Sequence, residues 1–141
     1  MREFRINTEI NASPEHVWNI LAEVRRWPEW TSSMSKVEPL DDGPLVVGSR
    51  VRVLQPKLRP AIMTITEWQP GRGFVWVAKN PGLIAVAEHQ LTPVPSGCVV
   101  ALGVIYKGLL SSLVSFFAGN LTKSYIELEA AGLKARSEGK R

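Results

Sequence analysis

The spacing of apolar residues changes once near the end of the chain, and this change limits the folds the chain can adopt. Between Ser35 and Lys107, apolar and polar residues alternate with the period of two that is typical of β-strands. Turn sequences interrupt this region: DDGP at 41–44, QPGRG at 69–73, NPG at 80–82 and PSG at 95–97. Short strands joined by tight turns predict an antiparallel meander of six strands, because parallel strands need long crossover connections.

After Gly108 the spacing becomes helical and predicts one long C-terminal helix from about Leu109 to Arg136. Its apolar stripe consists of Leu110, Leu113, Val114, Phe117, Leu121, Tyr125, Leu128 and Ala131. Such a helix must bury its stripe, and one face of the sheet is the partner large enough to cover it. The sequence therefore predicts a two-layer α+β domain.

The N-terminal part of the chain adds one strand and two short helices to this plan. Residues 3–10 alternate as a half-buried strand. Ser13, Pro14 and Glu15 then supply an N-cap, a proline in the first turn and an acid near the helix N-terminus. Pro28 separates the first helix from a second short one. The complete prediction is a seven-stranded antiparallel sheet with the long helix packed on one face, in one domain spanning residues 1–141.

Composition and charge narrow the class of protein. A hydrophobic share of 45% and a charged share of 21% are those of a soluble globular protein. The opening MREFRINTEI lacks a signal-peptide pattern and Cys98 is a single cysteine, so we expect a cytoplasmic location. The longest apolar stretches fall short of the roughly 20 residues of a membrane-spanning helix. The net charge of +4 comes without a basic cluster, so nucleic-acid binding is not expected.

The residues that could hold a metal or a cofactor are few. His16, His89 and Cys98 stand far apart without the spacing of metal ligands, so we expect no metal site. The GRG at 71–73 is a turn that no helix follows, so it is not a dinucleotide-binding loop and we expect no cofactor.

Strand alternation sorts the remaining candidates into inward and outward positions. In AVAEHQL (85–91), Glu88 and Gln90 are natural solvent positions, which directs Ala87 and His89 to the other face. The same rule puts Phe74 with Trp76, and Leu102 with Val104 and Tyr106. In the fourth strand, residues 61–68, both faces are mixed, and the pattern does not choose the face that lines the core.

Three segments resemble a known family. INASPEHVWNILAEVRRWPEWTSSMSKVE (10–38) resembles the opening signature of the START-like, or SRPBCC, superfamily, and of its polyketide cyclase/dehydrase group in particular. AEHQLTPVPSGCVV (87–100) and YIELEAAGLKARSE (125–138) resemble later parts of the same group. The resemblance covers essentially the whole chain and implies a helix-grip fold, in which the long helix closes an apolar cavity on the concave sheet face. Because this fold serves carriers, receptors and enzymes, the resemblance does not choose an activity.

The resemblance and the strand alternation together give a candidate ligand-binding set. It comprises Trp30, Phe74, Trp76, Ala87, His89, Leu102, Val104, Tyr106, Leu110, Leu113, Phe117 and Leu121. A wall of this kind favours binding or carriage of a hydrophobic or amphipathic small molecule, lipid- or polyketide-like. For His89 the alternative is a core histidine that is hydrogen-bonded to a neighbour such as Tyr106. Trp18 and Trp27 are expected to fasten the short helices over one end of the sheet.

Two other functions stay open. One is a cyclase or dehydratase, with His89 as general acid or base and Tyr106 donating to a carbonyl; the lack of an assignable inward carboxylate or arginine counts against it. The other is a docking module. LLSSLVSFFAG (109–119) is apolar around most of the helix, so Leu109 and Phe116 could contact a membrane surface or a protein partner, unless the loop QPKLRPA (55–61) covers them.

Overall fold

The computed structural model describes residues 2–139, and within them it confirms the predicted α+β helix-grip architecture. Residues 1, 140 and 141 of the predicted domain lie outside the described part. The strands are β1 (Arg2–Ile10), β2 (Lys36–Pro39), β3 (Arg50–Leu54), β4 (Ala61–Gln69), β5 (Gly73–Asn80), β6 (Leu83–Val94) and β7 (Gly97–Lys107). The helices are α1 (Pro14–Ala22), a 3₁₀ helix (Val24–Glu29) and α2 (Ser111–Ser137).

The described strands form one antiparallel sheet in the order β1-β7-β6-β5-β4-β3-β2. Strands from β2 to β7 pair with their neighbours in the chain, as the tight turns predict. β1 pairs with β7, with Ile6 opposite Leu102, and forms the edge of the sheet against which α2 packs. The curled sheet presents its concave face to α2.

A β-bulge in β4 explains why the pattern of this strand was ambiguous. The register with β5 shifts between Ile65 and Glu67, so one extra residue interrupts the alternation. Before the bulge, Met63 and Ile65 are buried; after it, Trp68 packs against the ring of Phe74. Odd-numbered residues of β4 therefore face inward before the bulge, and even-numbered residues face inward after it.

The tryptophans near the N-terminus close one end of the concave face. The Ser13 hydroxyl accepts a hydrogen bond from the His16 amide at 3.1 Å and starts α1. Trp27, in the 3₁₀ helix, is fully buried, and its indole Nε1–H donates to the Leu21 carbonyl at 2.9 Å. Trp18 packs edge-on against Trp68. These rings form the closed end of the space beneath α2.

The buried face of α2 is not the predicted stripe. It consists of Ser111, Gly119, Thr122, Tyr125, Ile126, Glu129, Ala130, Leu133 and Ser137. The helix lies so close to its neighbours that small residues must face inward. A Cβ at Gly119 would lie 3.2 Å from the Phe4 ring, and one at Gly132 would lie 1.8 Å from the Trp30 carbonyl oxygen. These close contacts therefore determine which face of α2 is buried, and the pattern of apolar residues alone does not predict that face.

Candidate functional site

A cavity of about 250 Å³ lies between α2 and the concave face of the sheet. Small side chains on the wall, among them Ala61, Ala78, Ala85, Ala87 and Ala118, leave this space open. Larger apolar side chains complete it, including Met34, Val53, Met63, Trp76, Leu102, Val104 and Ile126. The polar side chains that reach the wall include Gln55, His89, Tyr106, Thr122, Tyr125 and Glu129. A wall of this composition suits an organic ligand with a large apolar surface.

Half of the candidate ligand-binding set lines this cavity. These residues are Trp76, Ala87, His89, Leu102, Val104 and Tyr106. All of them lie on β5, β6 and β7, where strict alternation and short turns fix the face of each residue.

Phe74 and Trp30 lie away from the wall, and this corrects their assignment. Phe74 points inward as expected but is covered by Trp18 and Trp27, because the short helices fill that end of the concave face. Trp30 packs beside Trp27, with its carbonyl against Gly132 of α2. Both residues belong to the packed end of the core.

The four candidates on and before α2 also lie away from the cavity wall. Leu110 contacts the turn at Gly82 and is 43% exposed, and Leu121 is half-buried. Leu113 and Phe117 are exposed to 54% and 77%. The helix is rotated relative to the predicted stripe, so Val114, Ala118, Thr122 and Tyr125 take the wall positions instead.

His89 is held in one tautomer deep in the aromatic end of the cavity. Its ring stacks on Phe74 with centroids 4.2 Å apart and also contacts Trp27 and Trp76. Nδ1 lies 3.2 Å from the Phe74 carbonyl, which can only accept, so Nδ1 carries the proton and Nε2 is an acceptor. Burial lowers the pKa of His89 to about 4, so the ring is neutral at pH 7. Within residues 2–139, Nε2 has no hydrogen-bond partner.

Tyr106 is paired with Thr122 and not with His89. The two hydroxyl oxygens lie 2.7 Å apart, and the Thr122 hydroxyl donates to the Ala118 carbonyl at 2.9 Å. Because Thr122 has only one hydroxyl proton, Tyr106 must be the donor in the first bond. The Tyr106 proton is therefore committed to the protein, which weakens this residue as a donor to a substrate carbonyl.

Glu129 is a cavity residue that the sequence analysis missed. Its side chain reaches the wall, the residue is 7% exposed, and no hydrogen bond or ion pair reaches its carboxyl group from residues 2–139. Burial raises the pKa of Glu129 to about 8, so the group is mostly protonated at pH 7. The sequence contains one indication that Glu129 faces inward: it lies at helical spacing from Thr122, Ile126 and Leu133. These residues form a stripe that is shifted by one residue from the predicted stripe.

The mouth of the cavity is formed by the β3–β4 loop, the β5–β6 turn and the start of α2. Gln55 donates to the Ser33 carbonyl at 3.3 Å, and the Tyr125 hydroxyl donates to the Pro56 carbonyl. The Leu110 amide donates to the Gly82 carbonyl at 2.9 Å and ties α2 to the β5–β6 turn. These bonds hold the segments around the opening.

An apolar patch projects beside this mouth and consists of Leu109, Leu110, Leu113, Phe116 and Phe117. Leu109 and Phe116 are exposed to 96% and 82%, so the β3–β4 loop does not cover them. The rings of Phe116 and Phe117 lie 5.1 Å apart. Clustered apolar exposure of this kind marks an interaction surface more often than isolated residues do.

Metal binding and membrane insertion each require a recognisable arrangement of residues. Among the described residues, no group of three or more His, Cys, Asp or Glu side chains is placed to hold a metal ion. No helix in residues 2–139 has the length and apolar character needed to cross a membrane.

Solved structures similar to this chain share its fold at low sequence identity. A protein from Thermus thermophilus, TTHA0849, matches with a TM-score of 0.79 and 16% identity over 98% of both chains. XoxI from Bacillus cereus matches with a TM-score of 0.77 and 17% identity, over 96% of this chain and 95% of that one. The di-domain ARO/CYC BexL of the BE-7585A biosynthetic pathway matches with a TM-score of 0.72 and 18% identity; the match covers 98% of this chain and 47% of BexL.

Sequence comparison identifies the family. No curated protein matches the chain. The family model described as polyketide cyclase / dehydrase and lipid transport matches residues 1–138, nearly the full length. The chain therefore belongs to the polyketide cyclase / dehydrase and lipid transport family of the START-like (SRPBCC) superfamily.

Proposed function

We propose that this protein binds and carries a hydrophobic or amphipathic small molecule, lipid- or polyketide-like, in the cavity between the sheet and α2. The observation that carries the proposal is the cavity itself, with about 250 Å³ of space and a wall that is mostly apolar. Such pockets gain affinity from buried apolar area and orientation from a few polar groups. Family membership is consistent with this activity.

Carriage is favoured over catalysis by the state of the candidate catalytic groups. The Tyr106 proton is donated to Thr122, and a histidine with a pKa of about 4 is a weak base at neutral pH. Glu129 is the observation that keeps the enzyme alternative open, because a protonated carboxyl with a pKa of about 8 can act as a general acid. In that alternative Glu129 and His89 would share the proton transfers of a cyclase or dehydratase.

Native mass spectrometry of the protein purified from its own host tests the proposal. A retained small molecule that ordinary purification does not remove is the expected result. Ala87→Phe should abolish retention, because Ala87 lies between Trp76 and Val104 on the wall and the larger ring fills the space. Val77→Phe, on the opposite face of β5, is the matched control. Equal retention by both variants would refute the cavity as the binding site.

Turnover separates the carrier from the enzyme. The molecule identified in this way is incubated with fresh protein and its mass is followed over time. A carrier returns it unchanged. A dehydratase lowers its mass by the mass of one water, and a cyclase that closes a ring without losing water changes its chromatographic retention at constant mass. If Glu129→Gln stops such a conversion while binding persists, the enzyme alternative replaces carriage.

A second function, docking to an anionic membrane surface, is favoured by the charge around the apolar patch. The segments that surround the mouth are QPKLRP (55–60), KNPGL (79–83) and KGLLSSLVSFF (107–117), and they contain basic residues but no acid. Lys57, Arg59, Lys79 and Lys107 are all exposed. Apolar side chains surrounded by cations match an anionic lipid surface, where each basic residue contributes about 1 kcal/mol.

Vesicle co-sedimentation tests this docking. Binding is expected to vesicles of phosphatidylcholine mixed with phosphatidylserine and to weaken with added salt. Phe116→Asp should abolish it with little change in melting temperature, whereas Leu128→Asp, at an exposed position on the same helix away from the patch, should not. A large fall in melting temperature for Phe116→Asp, or salt-independent binding to neutral vesicles, would contradict the proposal.

A further inference from the structure

The cavity wall contains two polar groups whose bonding capacity is unused. Glu129 has no partner within residues 2–139, and in the same part of the chain His89 uses only Nδ1. Burying a polar group without a hydrogen bond costs stability, so such groups need an explanation. A wall that served only packing would carry apolar side chains at these positions.

The two groups lie in the same inner part of the cavity. Along α2, Gly119 packs over the Phe4 ring near the mouth, and Lys134 reaches the Glu9 carbonyl at 2.6 Å near the closed end. Glu129 lies between these two points. On the sheet, His89 is opposite Leu102, which is opposite Ile6, again between Phe4 and Glu9. Glu129 on α2 and His89 on β6 therefore both face the cavity, from opposite walls.

We propose that Glu129 and His89 act as a two-point anchor for an uncharged ligand that presents a carbonyl oxygen and a hydroxyl group at the inner end of the cavity. The Glu129 carboxyl would donate to the carbonyl oxygen, and His89 Nε2 would accept from the hydroxyl. The apolar body of the ligand would lie toward the mouth, against Ala85, Val104 and Ala118. This inference rests on the proposed ligand-binding function and names the class of ligand.

The charge state of the anchor supports an uncharged ligand. Burial keeps Glu129 protonated and His89 neutral at pH 6 to 7. Arg59, Glu88, Tyr106 and Tyr125 are the other ionisable residues on the wall. Arg59 belongs to the mouth loop, the Glu88 carboxylate pairs with Arg5 at 2.8 Å, and the two tyrosine hydroxyls donate to Thr122 and Pro56. A charged ligand group at the inner end would therefore lose its hydration without meeting an opposite charge.

Four naphthalene probes of one shape test the anchor by equilibrium dialysis at pH 6. The reference probe is naphthalene itself. Methyl β-naphthyl ketone adds a hydrogen-bond acceptor to the same ring system, β-naphthol adds a hydrogen-bond donor, and β-naphthylmethylamine adds a cation. The ketone and the naphthol should each bind up to roughly tenfold more tightly than naphthalene, the value of one buried hydrogen bond. The amine should bind no better than naphthalene.

Variants of Glu129 and His89 show which of the two residues produces each gain in affinity. Glu129→Leu should remove the advantage of the ketone and leave that of the naphthol, while Glu129→Gln, which keeps an N–H donor, should retain part of it. His89→Phe should remove only the advantage of the naphthol. The carbonyl stretch of the bound, carbon-13-labelled ketone should lie at lower frequency in wild type than in Glu129→Leu, a signature of the hydrogen bond that a purely structural role would not produce.

The outcomes separate this inference from the proposed function. If naphthalene binds and all four probes bind equally in wild type, the cavity binds ligands and the anchor is wrong. Strongest binding of the amine, lost in Glu129→Leu, would overturn the neutral anchor in favour of a carboxylate that pairs with cations. If no probe binds to wild type, and Ala87→Phe behaves identically, the proposed function itself fails.

Discussion

Glu129 should make the free energy of unfolding fall as the pH rises above neutrality. Burial raises its pKa from 4.5 to about 8, so the folded chain keeps a proton that the unfolded chain has lost. The stability that this proton confers is fully present below pH 4.5 and is lost as the pH rises through about 8. The slope is about 1.4 kcal/mol per pH unit.

His89 has the opposite effect on the free energy of unfolding, and it acts over a lower pH range. Burial lowers its pKa from 6.5 to about 4, so between these values the unfolded chain binds a proton that the folded chain does not. The stability from neutral His89 is present above pH 6.5 and is lost as the pH falls toward 4. Between pH 4.5 and 6.5 the two slopes have opposite signs and cancel.

Between pH 6.5 and 8, only Glu129 of the two residues makes the free energy of unfolding depend on pH. Its contribution to that free energy falls by about 2 kcal/mol over this range. Urea unfolding followed by tryptophan fluorescence at pH 6.5, 7.2 and 8 measures this change. Glu129→Gln, neutral at every pH, should lose the decline, so the difference between the two proteins should change by about 2 kcal/mol across the range. In His89→Gln the decline should begin near pH 4.5, because nothing then cancels it.

Parallel profiles for wild type and Glu129→Gln would refute this reasoning. They would mean that Glu129 ionises in the folded chain as it does in the unfolded one. The carboxyl group would then be hydrated or paired in solution, and the neutral anchor would lose its physical basis.

Two further predictions concern the packing that shapes the cavity. Gly132→Ala should destabilise the fold by roughly 1–3 kcal/mol, because its Cβ would lie 1.8 Å from the Trp30 carbonyl oxygen; Ala131→Ser, at an exposed neighbouring position, should change the urea midpoint little. Trp27→Phe should cost at least 1–3 kcal/mol in the same assay, since it leaves the buried Leu21 carbonyl without its donor, and an unchanged midpoint would show that this bond is unimportant.

The fold could be predicted because its signals are local. Each tight turn and each alternating segment between Ser35 and Lys107 specifies a strand without knowledge of distant residues, and the change of period after Gly108 specifies the long helix. In β6, alternation alone predicts that Ala87 and His89 lie on the cavity side of the sheet, and both residues line the cavity.

The parts of the site that could not be predicted depend on tertiary geometry. The bulge in β4 follows from how the strand pairs with β5. The rotation of α2 follows from close contacts of Gly119 with Phe4 and of Gly132 with Trp30, which require small residues on the face of the helix that packs inward. A rotation of about one residue, or roughly 100°, was enough to hide Glu129 and to assign Phe117 to the cavity.

The positions of the anchor and the apolar patch, taken together, limit the ligand further. If both proposals hold, the ligand enters through the mouth with its polar end first and leaves its apolar body toward the patch. A phospholipid entering in this way would bring a charged headgroup to Glu129 and His89, where no opposite charge compensates for its lost hydration. We therefore expect the protein to dock on anionic vesicles without extracting their phospholipids, while it removes an uncharged hydroxy-ketone dissolved in the same bilayer. Mass spectrometry of protein separated from such vesicles would show phospholipid in the cavity if this orientation is wrong.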